Sequence, residues 1–159
     1  MKARQIINPN SARIYPELSV ILDNYNCIPV EVDGWGWCSF NAVFVSLWHA
    51  GYRVFENGFE LYQSFVEYVM ANEDRLRLSE FFYDGGVEWF LSEVKRGATD
   101  TDRQQQFWII ADWLQINLMV FSDLFYHAIM YYPLHVKSED LPTIAIMNVK
   151  QYHFIALLP

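Results

Sequence analysis

Cysteine and histidine are the residue types of this sequence best suited to nucleophilic chemistry, and Cys38 is the strongest candidate. It directly follows the segment Gly34 to Trp37 and precedes an apolar pattern of helical spacing, so a helix is predicted to begin there. The N–H groups and positive dipole end of a helix N-terminus lower a thiol pKa and can stabilise an oxyanion. This placement suits a nucleophile, but free cysteines are most often ordinary buried thiols, and position alone does not outweigh that interpretation.

A nucleophilic thiol needs a general base, and four histidines are available. His49 lies at the far end of the same predicted helix, roughly 16 Å of axial rise from the thiol, so it cannot touch it. His127 and His135 lie near the two ends of a predicted strand and are interpreted as surface residues. His153 lies in the apolar C-terminal segment, where a histidine needs a polar partner. The residues alone support a general base and a core histidine bonded to a backbone carbonyl equally well.

The elements that must position these residues are predicted to be mainly helical in the first two thirds of the chain. Each helix shows apolar residues at helical spacing and ends near a glycine or a polar residue. Residues 1–15 are predicted to be an irregular lead-in, and residues 27–37 an extended stretch that ends in a glycine-bearing turn. The predicted helices are Pro16 to Asn24, Cys38 to about Ala50, 58–72, Gly86 to Lys95, and one N-capped by Asp102 that runs to about Leu114.

The last third of the chain has the pattern of β-strands. Four strands are predicted: Asn117 to Phe121, Tyr126 to Tyr132, Thr143 to Val149 and Tyr152 to Leu158. The last two flank Lys150 and Gln151 and are predicted to form a hairpin. Helices followed by strands indicate the α+β class, with helices packed on a small, mainly antiparallel sheet. The length of 159 residues fits a single domain over residues 1–159.

Composition narrows the classes of partner. The formal net charge is −8 and no basic cluster is present, so a nucleic-acid partner is not expected. An acidic surface suits a basic protein or peptide, although charge alone is explained more simply by solubility. The longest apolar runs are too short for membrane insertion. Two cysteines do not make a disulfide framework, and Cys27, which precedes Pro29, is interpreted as structural. An intracellular, reducing compartment such as the cytoplasm is expected.

The segment around the nucleophile candidate, Gly36-Trp37-Cys38-Ser39-Phe40-Asn41-Ala42, resembles that of ovarian-tumour (OTU) cysteine proteases. That family has glycine two residues before the cysteine, an aromatic residue two after it and alanine four after it. Later elements are similar in order: a helix over Leu61 to Leu76, the helix that leads into strand Asn117 to Phe121, and Tyr152-His153-Phe154 as the terminal histidine followed by an aromatic residue. The resemblance covers most of residues 30–159.

The resemblance implies a papain-like fold and a deubiquitinase, which hydrolyses the bond after the C-terminal glycine of ubiquitin or a ubiquitin-like modifier. Cys38 would be the nucleophile and His153 the general base. The backbone N–H groups of Trp35, Gly36, Trp37 and Cys38 would form the oxyanion hole. No metal or other cofactor is implied, and the sequence has no zinc-ligand spacing.

The sequence departs from the family pattern in two places. Trp35 stands where the family has aspartate before the nucleophile, with Asp33 two residues further upstream. Ile155 stands two residues after the histidine, where the family often has asparagine or aspartate to orient the ring. If Lys150 and Gln151 formed a two-residue turn, Asn148 would lie opposite His153 and could orient it. Asp33 is an alternative orienting residue, and a Cys–His dyad with no third residue is another.

Substrate contacts are predicted on both sides of the nucleophile. Trp35 and Trp37 could line a narrow groove for a glycine tail, and Asp100 and Asp102 could hold the arginines that precede the glycines of ubiquitin. Two other functions stay open: an inactive OTU-like module that binds ubiquitin or another protein, and a different papain-like thiol hydrolase or acyltransferase. The divergence from the family pattern fits a viral or bacterial protein that acts in a host cell.

Overall fold

The computed structural model describes residues 27–32, 37–76, 86–96, 100–122, 127–133, 138–149 and 153–159, apart from the side chains of residues 96, 100–104, 127 and 138. The predicted lead-in and the predicted helix Pro16 to Asn24 lie outside the described residues. Within the described ranges, no helix combines the length and apolar composition that crossing a membrane requires.

Helices come first and strands later, as the sequence pattern predicts. The described helices are α1 (Cys38–His49), α2 (Gly58–Ala71), the short α3 (Glu73–Leu76), α4 (Gly86–Arg96) and α5 (Asp100–Leu114), and a 3-10 turn spans Ser138–Asp140. The described strands are β1 (Ile28–Val30), β2 (Asn117–Ser122), β3 (His127–Tyr131), β4 (Thr143–Val149) and β5 (His153–Leu158).

The strands form one sheet in the order β1-β5-β4-β2-β3. Only the β2–β4 pair is parallel among the strands described, and the other neighbours are antiparallel. The α+β class with a mainly antiparallel sheet is therefore confirmed. Pro29 lies in β1, an edge strand, where the missing N–H of proline removes no hydrogen bond from the interior of the sheet.

Both faces of the sheet are buried. On one face Phe154, Ala156 and Leu158 of β5 share an apolar cluster with helix residues, whereas Ile155 and Leu157 belong to a second cluster with residues of β2 and β4. This division follows from the alternation of side chains along a strand. All six residues of β5 are buried, so the strand that begins with His153 is a core strand.

The helix that begins with Cys38 makes close contacts near each of its two ends. Ser46 on α1 donates a hydrogen bond of 2.9 Å to the backbone oxygen of Ala145 on β4. At the other end, Gly58 at the start of α2 lies so close to Asn41 that a Cβ there would be 1.9 Å from Oδ1 of Asn41. Asn57 caps α2 by accepting a hydrogen bond of 2.8 Å from the N–H of Glu60. The first turn of α1 and the first turn of α2 are therefore in direct contact.

Two local predictions are wrong. The β4–β5 register pairs Val149 with His153 and Asn148 with Phe154, so residues 150–152 connect the strands instead of a two-residue turn. Helix α5 begins at Asp100, before the predicted cap at Asp102. Acidic residues are stabilised in the first turn of a helix by its dipole, which allows the helix to continue through this polar segment.

We expect Gly58→Ala to destabilise the protein by about 1–3 kcal/mol, because the added methyl group would overlap the Asn41 side chain. Urea unfolding of the single and double variants measures the effect. In an Asn41→Ala background the cost should fall, since the nearest atom that the methyl group meets is then gone. An equal cost in both backgrounds would contradict this account of the contact.

Candidate active site

Cys38 is the first residue of α1, and it is buried. Trp37 occupies the N-cap position, and the first hydrogen bond of the helix runs from the N–H of Asn41 to the oxygen of Trp37, at 2.8 Å. The N–H groups of the first turn of a helix have no acceptor within that helix. The thiol therefore lies where backbone donors and the positive end of the helix dipole are concentrated.

His153 is the first residue of β5 and lies within hydrogen-bonding reach of Cys38. Its side chain is only 11% exposed. Helix α1 and strand β5 both begin at this point, so the two side chains meet at the ends of their elements. Residues far apart in the sequence are thereby brought together at one edge of the helix–sheet interface.

Glu31 binds the other side of the imidazole, through a short contact between its Oε1 and Nε2 of His153. The antiparallel β1–β5 register pairs Val30 with Ala156, and one further step places Glu31 opposite Ile155. His153 and Ile155 project from the same face of β5, so Glu31 and His153 are diagonal neighbours on that face. The pairing of β1 with β5 therefore places the Glu31 carboxylate next to the His153 ring.

The surroundings of His153 favour its charged form. The hydrogen bond to Cys38, followed by that to Glu31, raises the pKa of His153 from 6.5 to about 9, although burial alone would lower it. Cys38 and Glu31 together thus outweigh the cost of desolvating an imidazolium.

A thiol, an imidazole and a carboxylate in contact have the arrangement needed for nucleophilic attack on a carbonyl carbon. The imidazole can take the thiol proton, and the carboxylate can hold the ring and its charge. The start of α1 adds backbone donors for an oxyanion. The described residues include no group of three or more His, Cys, Asp or Glu side chains that could hold a metal ion.

Comparison with solved structures identifies the fold. The chain is similar to the OTU domain of OTUD1, with a TM-score of 0.65 and 17% sequence identity over 91% of this chain and 93% of that one. The chain has the fold of an OTU domain. The papain-like, OTU-like architecture predicted from the sequence is therefore confirmed.

Viral OTU domains are also similar to this chain. The OTU domain protease from Qalyub virus has a TM-score of 0.50 and 17% identity, over 84% of this chain and 93% of that one. The OTU domain protease from Dera Ghazi Khan virus has a TM-score of 0.51 and 14% identity, over 83% and 80%. No family model matches the sequence, and no curated protein does. The OTU fold is thus shared at a sequence identity too low to carry substrate or activity across.

The structure brings together the two residues on which the predicted chemistry depends, Cys38 and His153. Asn148, a predicted orienting residue, does not join them. It pairs with Phe154, so its side chain projects from the sheet face opposite to that of His153. Within the described part of the chain, its buried Oδ1 accepts no hydrogen bond. The predicted role of Asn148 in orienting the ring is therefore wrong.

Several other predicted residues lie outside the described residues. These are Asp33, the alternative orienting residue, and Trp35 and Gly36 of the predicted oxyanion loop. Asp100 and Asp102 lie in the backbone of α5, but their side chains are not among those described. Their roles stay predictions.

Trp37 packs against helix α2. Its ring centroid is 4.2 Å from that of Tyr62 and 5.6 Å from that of Phe59. The ring is therefore held by other aromatic rings next to Cys38, and its predicted part in lining a substrate groove stays a prediction. Its backbone, at the N-cap of α1, stays a candidate part of the oxyanion hole.

Glu31 was not predicted from the sequence. A signal was available, because Glu31 is the only acidic residue in the otherwise apolar run from Cys27 to Val32. If that run is paired with the terminal strand, its carboxylate falls opposite Ile155, where the family often has its orienting residue. The pairing links the two ends of the described chain, and no local pattern specifies it.

We expect Glu31→Gln to lower the pKa of His153 from its value of about 9, because the charged partner is lost while burial still opposes the imidazolium. An NMR titration of the His153 ring measures this directly. Glu67→Gln, at an exposed position of α2, is the matched control and should leave the titration unchanged. An unchanged His153 titration in Glu31→Gln would remove Glu31 from the electrostatics of the site.

Proposed function

We propose that this protein is a cysteine protease that cleaves the bond after the C-terminal glycine of ubiquitin or a ubiquitin-like modifier. The observation that carries the proposal is the continuous contact from Cys38 through His153 to Glu31. The OTU fold supports it, because the viral OTU domains of the same fold are proteases. Ubiquitin as the substrate is what the sequence resemblance implies.

The reaction begins with transfer of the thiol proton of Cys38 to His153. The thiolate attacks the carbonyl carbon of the terminal glycine, and the tetrahedral intermediate collapses as the carbon–nitrogen bond breaks. His153 gives its proton to the leaving lysine amine. The modifier is now joined to Cys38 as a thioester. His153 takes a proton from water as the water oxygen attacks the thioester carbon, and the carbon–sulfur bond breaks. The Cys38 sulfur recovers the proton from His153, and the modifier leaves with a free carboxylate.

Glu31 holds the ring during these steps. With Nε2 bonded to Glu31, Nδ1 is the ring nitrogen that remains to exchange a proton with the thiol. The raised pKa of His153 makes the ring a good acceptor for the thiol proton of Cys38 at neutral pH. Glu31 therefore takes the part that the family often gives to a residue two positions after the histidine.

Charge supports a basic partner segment. With a formal net charge of −8, the chain would attract an arginine-bearing tail such as that of ubiquitin and repel a nucleic-acid backbone. Asp100 and Asp102 remain the candidate carboxylates for such a tail. The proposal also requires a reducing compartment, such as the cytoplasm of the cell in which the protein acts, because Cys38 must stay a free thiol.

An inactive binding module is less well supported than an enzyme. From the sequence, two departures from the family pattern favour inactivity: the missing aspartate before Cys38 and the missing polar residue after His153. The carboxylate of Glu31 removes the second argument, because a ring held between a thiol and a carboxylate serves catalysis, whereas simple binding of a partner needs no such arrangement.

We expect ubiquitin with a C-terminal alkyne electrophile to form a one-to-one covalent adduct with the protein, because the thiolate attacks at the position of the scissile carbonyl. Mass spectrometry of the intact protein detects the adduct. Cys38→Ala should abolish it, and Cys27→Ala, which removes the other thiol of the chain, should retain it. A folded protein that forms no adduct with ubiquitin or with ubiquitin-like probes would overturn the proposal.

We further expect Glu31→Ala to lower kcat/KM by at least about tenfold, because the ring loses the group that fixes its orientation and charge. Asn148→Ala should leave the kinetics unchanged, since that side chain projects from the other sheet face. Cleavage of a ubiquitin–fluorophore conjugate measures both. The reverse pattern, with Asn148 essential and Glu31 dispensable, would contradict this assignment.

A further inference from the structure

The two proposed catalytic residues come from elements that share no local connection, so something must fix their separation. Cys38 begins α1 and His153 begins β5. A misplacement of about 1 Å between reacting groups can cost on the order of a hundredfold in rate. The same short part of helix α5 contacts the residue that follows each of them.

The first contact is polar. Nε2 of Gln106 on α5 donates a hydrogen bond of 2.9 Å to the hydroxyl of Ser39, the residue after Cys38. Gln106 is 2% exposed and Ser39 is 8% exposed, so neither side chain can readily exchange this bond for one to water. Because buried polar groups are costly when unpaired, the bond defines one position of the first turn of α1 relative to α5.

The second contact is aromatic. Phe107, the next residue of α5, makes an edge-to-face contact with Phe154, the residue after His153, with ring centroids 5.3 Å apart. Phe107 also packs on Tyr131 of β3, at 5.8 Å between centroids. Both Phe107 and Phe154 are buried. This contact fixes the start of β5 relative to the same turn of α5.

We propose that Gln106 and Phe107 are positioning residues that together set the distance between Cys38 and His153. They are consecutive residues of one helix, so their side chains leave it about 100° apart and their backbone spacing is fixed. Gln106 links α5 to α1, which begins with Cys38, and Phe107 links α5 to β5, which begins with His153. The inference rests on the proposed function, because it assigns these residues to the geometry of that site.

The Gln106–Ser39 hydrogen bond restricts the orientation of the helix in a way that apolar packing does not. Apolar neighbours tolerate sliding and rotation of a helix by small amounts, whereas a buried bond between two side chains is strongly directional. The Gln106–Ser39 bond therefore restricts the rotation of the first turn of α1, which determines where the thiol of Cys38 points.

The test measures the rate at which iodoacetamide alkylates Cys38 as a function of pH, with mass spectrometry to separate it from Cys27. An ordinary thiol reaches half of its maximal rate near its pKa of about 8.5, whereas a thiolate paired with an imidazolium reacts at much lower pH. We expect the second behaviour for the wild-type protein. Gln106→Leu and Phe107→Leu should each move the half-maximal pH upward by at least about one unit.

Stability and positioning are separated by a double variant. Gln106→Leu alone leaves the Ser39 hydroxyl buried without its donor, and it should destabilise the protein. Ser39→Ala combined with Gln106→Leu removes both polar groups and should recover much of that stability. If the pair positions the nucleophile, the double variant regains stability while its alkylation profile stays shifted and its kcat stays at least about tenfold low with little change in KM.

Two variants serve as matched controls. Ser46→Ala removes a buried hydrogen bond from the same helix, two turns away from the thiol. Phe90→Leu removes a buried ring of α4 that packs against Phe65. Both should lose stability, and both should keep the wild-type alkylation profile.

The outcomes distinguish the two proposals. An ordinary thiol profile in the wild-type protein overturns the proposed function, and the positioning role with it. Suppose instead that wild-type Cys38 is alkylated at low pH, as a thiolate paired with an imidazolium is. The positioning role alone is then overturned if the Ser39→Ala, Gln106→Leu double variant has an unshifted pH profile. It is also overturned if the two control variants shift the profile equally.

Discussion

The positive charge on the His153 imidazole is the feature on which the rest of the site depends. A ring this deeply buried would ordinarily be neutral, because the charged form loses its hydration. The hydrogen bonds to the sulfur of Cys38 and to the carboxylate of Glu31 reverse this preference and raise the pKa of His153 to about 9. In the proposed chemistry neither partner suffices alone: the thiol would supply the nucleophile, and the carboxylate would compensate the charge that the ring acquires on taking its proton.

The fold delivers these three groups by two different means. Cys38 and His153 are the first residues of α1 and β5, so their contact depends on how the nucleophile helix is laid against the sheet. Glu31 reaches the ring through the register of β1 with β5, and a strand register can change only by whole residues. A shift of β1 by one residue along β5 would turn the carboxylate to the other face and leave the ring without its partner.

The parts of the site that the sequence could predict are those with local signatures. Cys38 follows a glycine-bearing turn and begins a helix, whereas His153 was selected by the resemblance of Tyr152-His153-Phe154 to the terminal motif of the family. The α+β class followed from the order of helical and strand patterns. Asn148 was assigned wrongly because the length of a hairpin connection decides which residues face each other, and residues 150–152 all lie between the paired ends. The position of Glu31 depends on pairing between the two ends of the described chain, and the contact of Gln106 depends on helix packing. Neither produces a periodic pattern in the sequence.

The carboxylate of Glu31 lies beside the His153 ring, although it is not at the sequence position where the family resemblance implies an orienting residue. The orienting group that the resemblance implies would stand at position 155, on the same strand face as the histidine. Here Ile155 occupies that position and is fully buried, and the carboxylate comes from Glu31, the residue that directly follows β1. Directly opposed positions of an antiparallel pair lie on one face with Cβ atoms about 5 Å apart, so the two placements give the ring a partner in nearly the same region of space. The consequence is structural: the three-residue edge strand β1, which could otherwise be a marginal addition to the sheet, becomes part of the support of the candidate site, and its pairing with β5 must hold for the imidazolium to be stable.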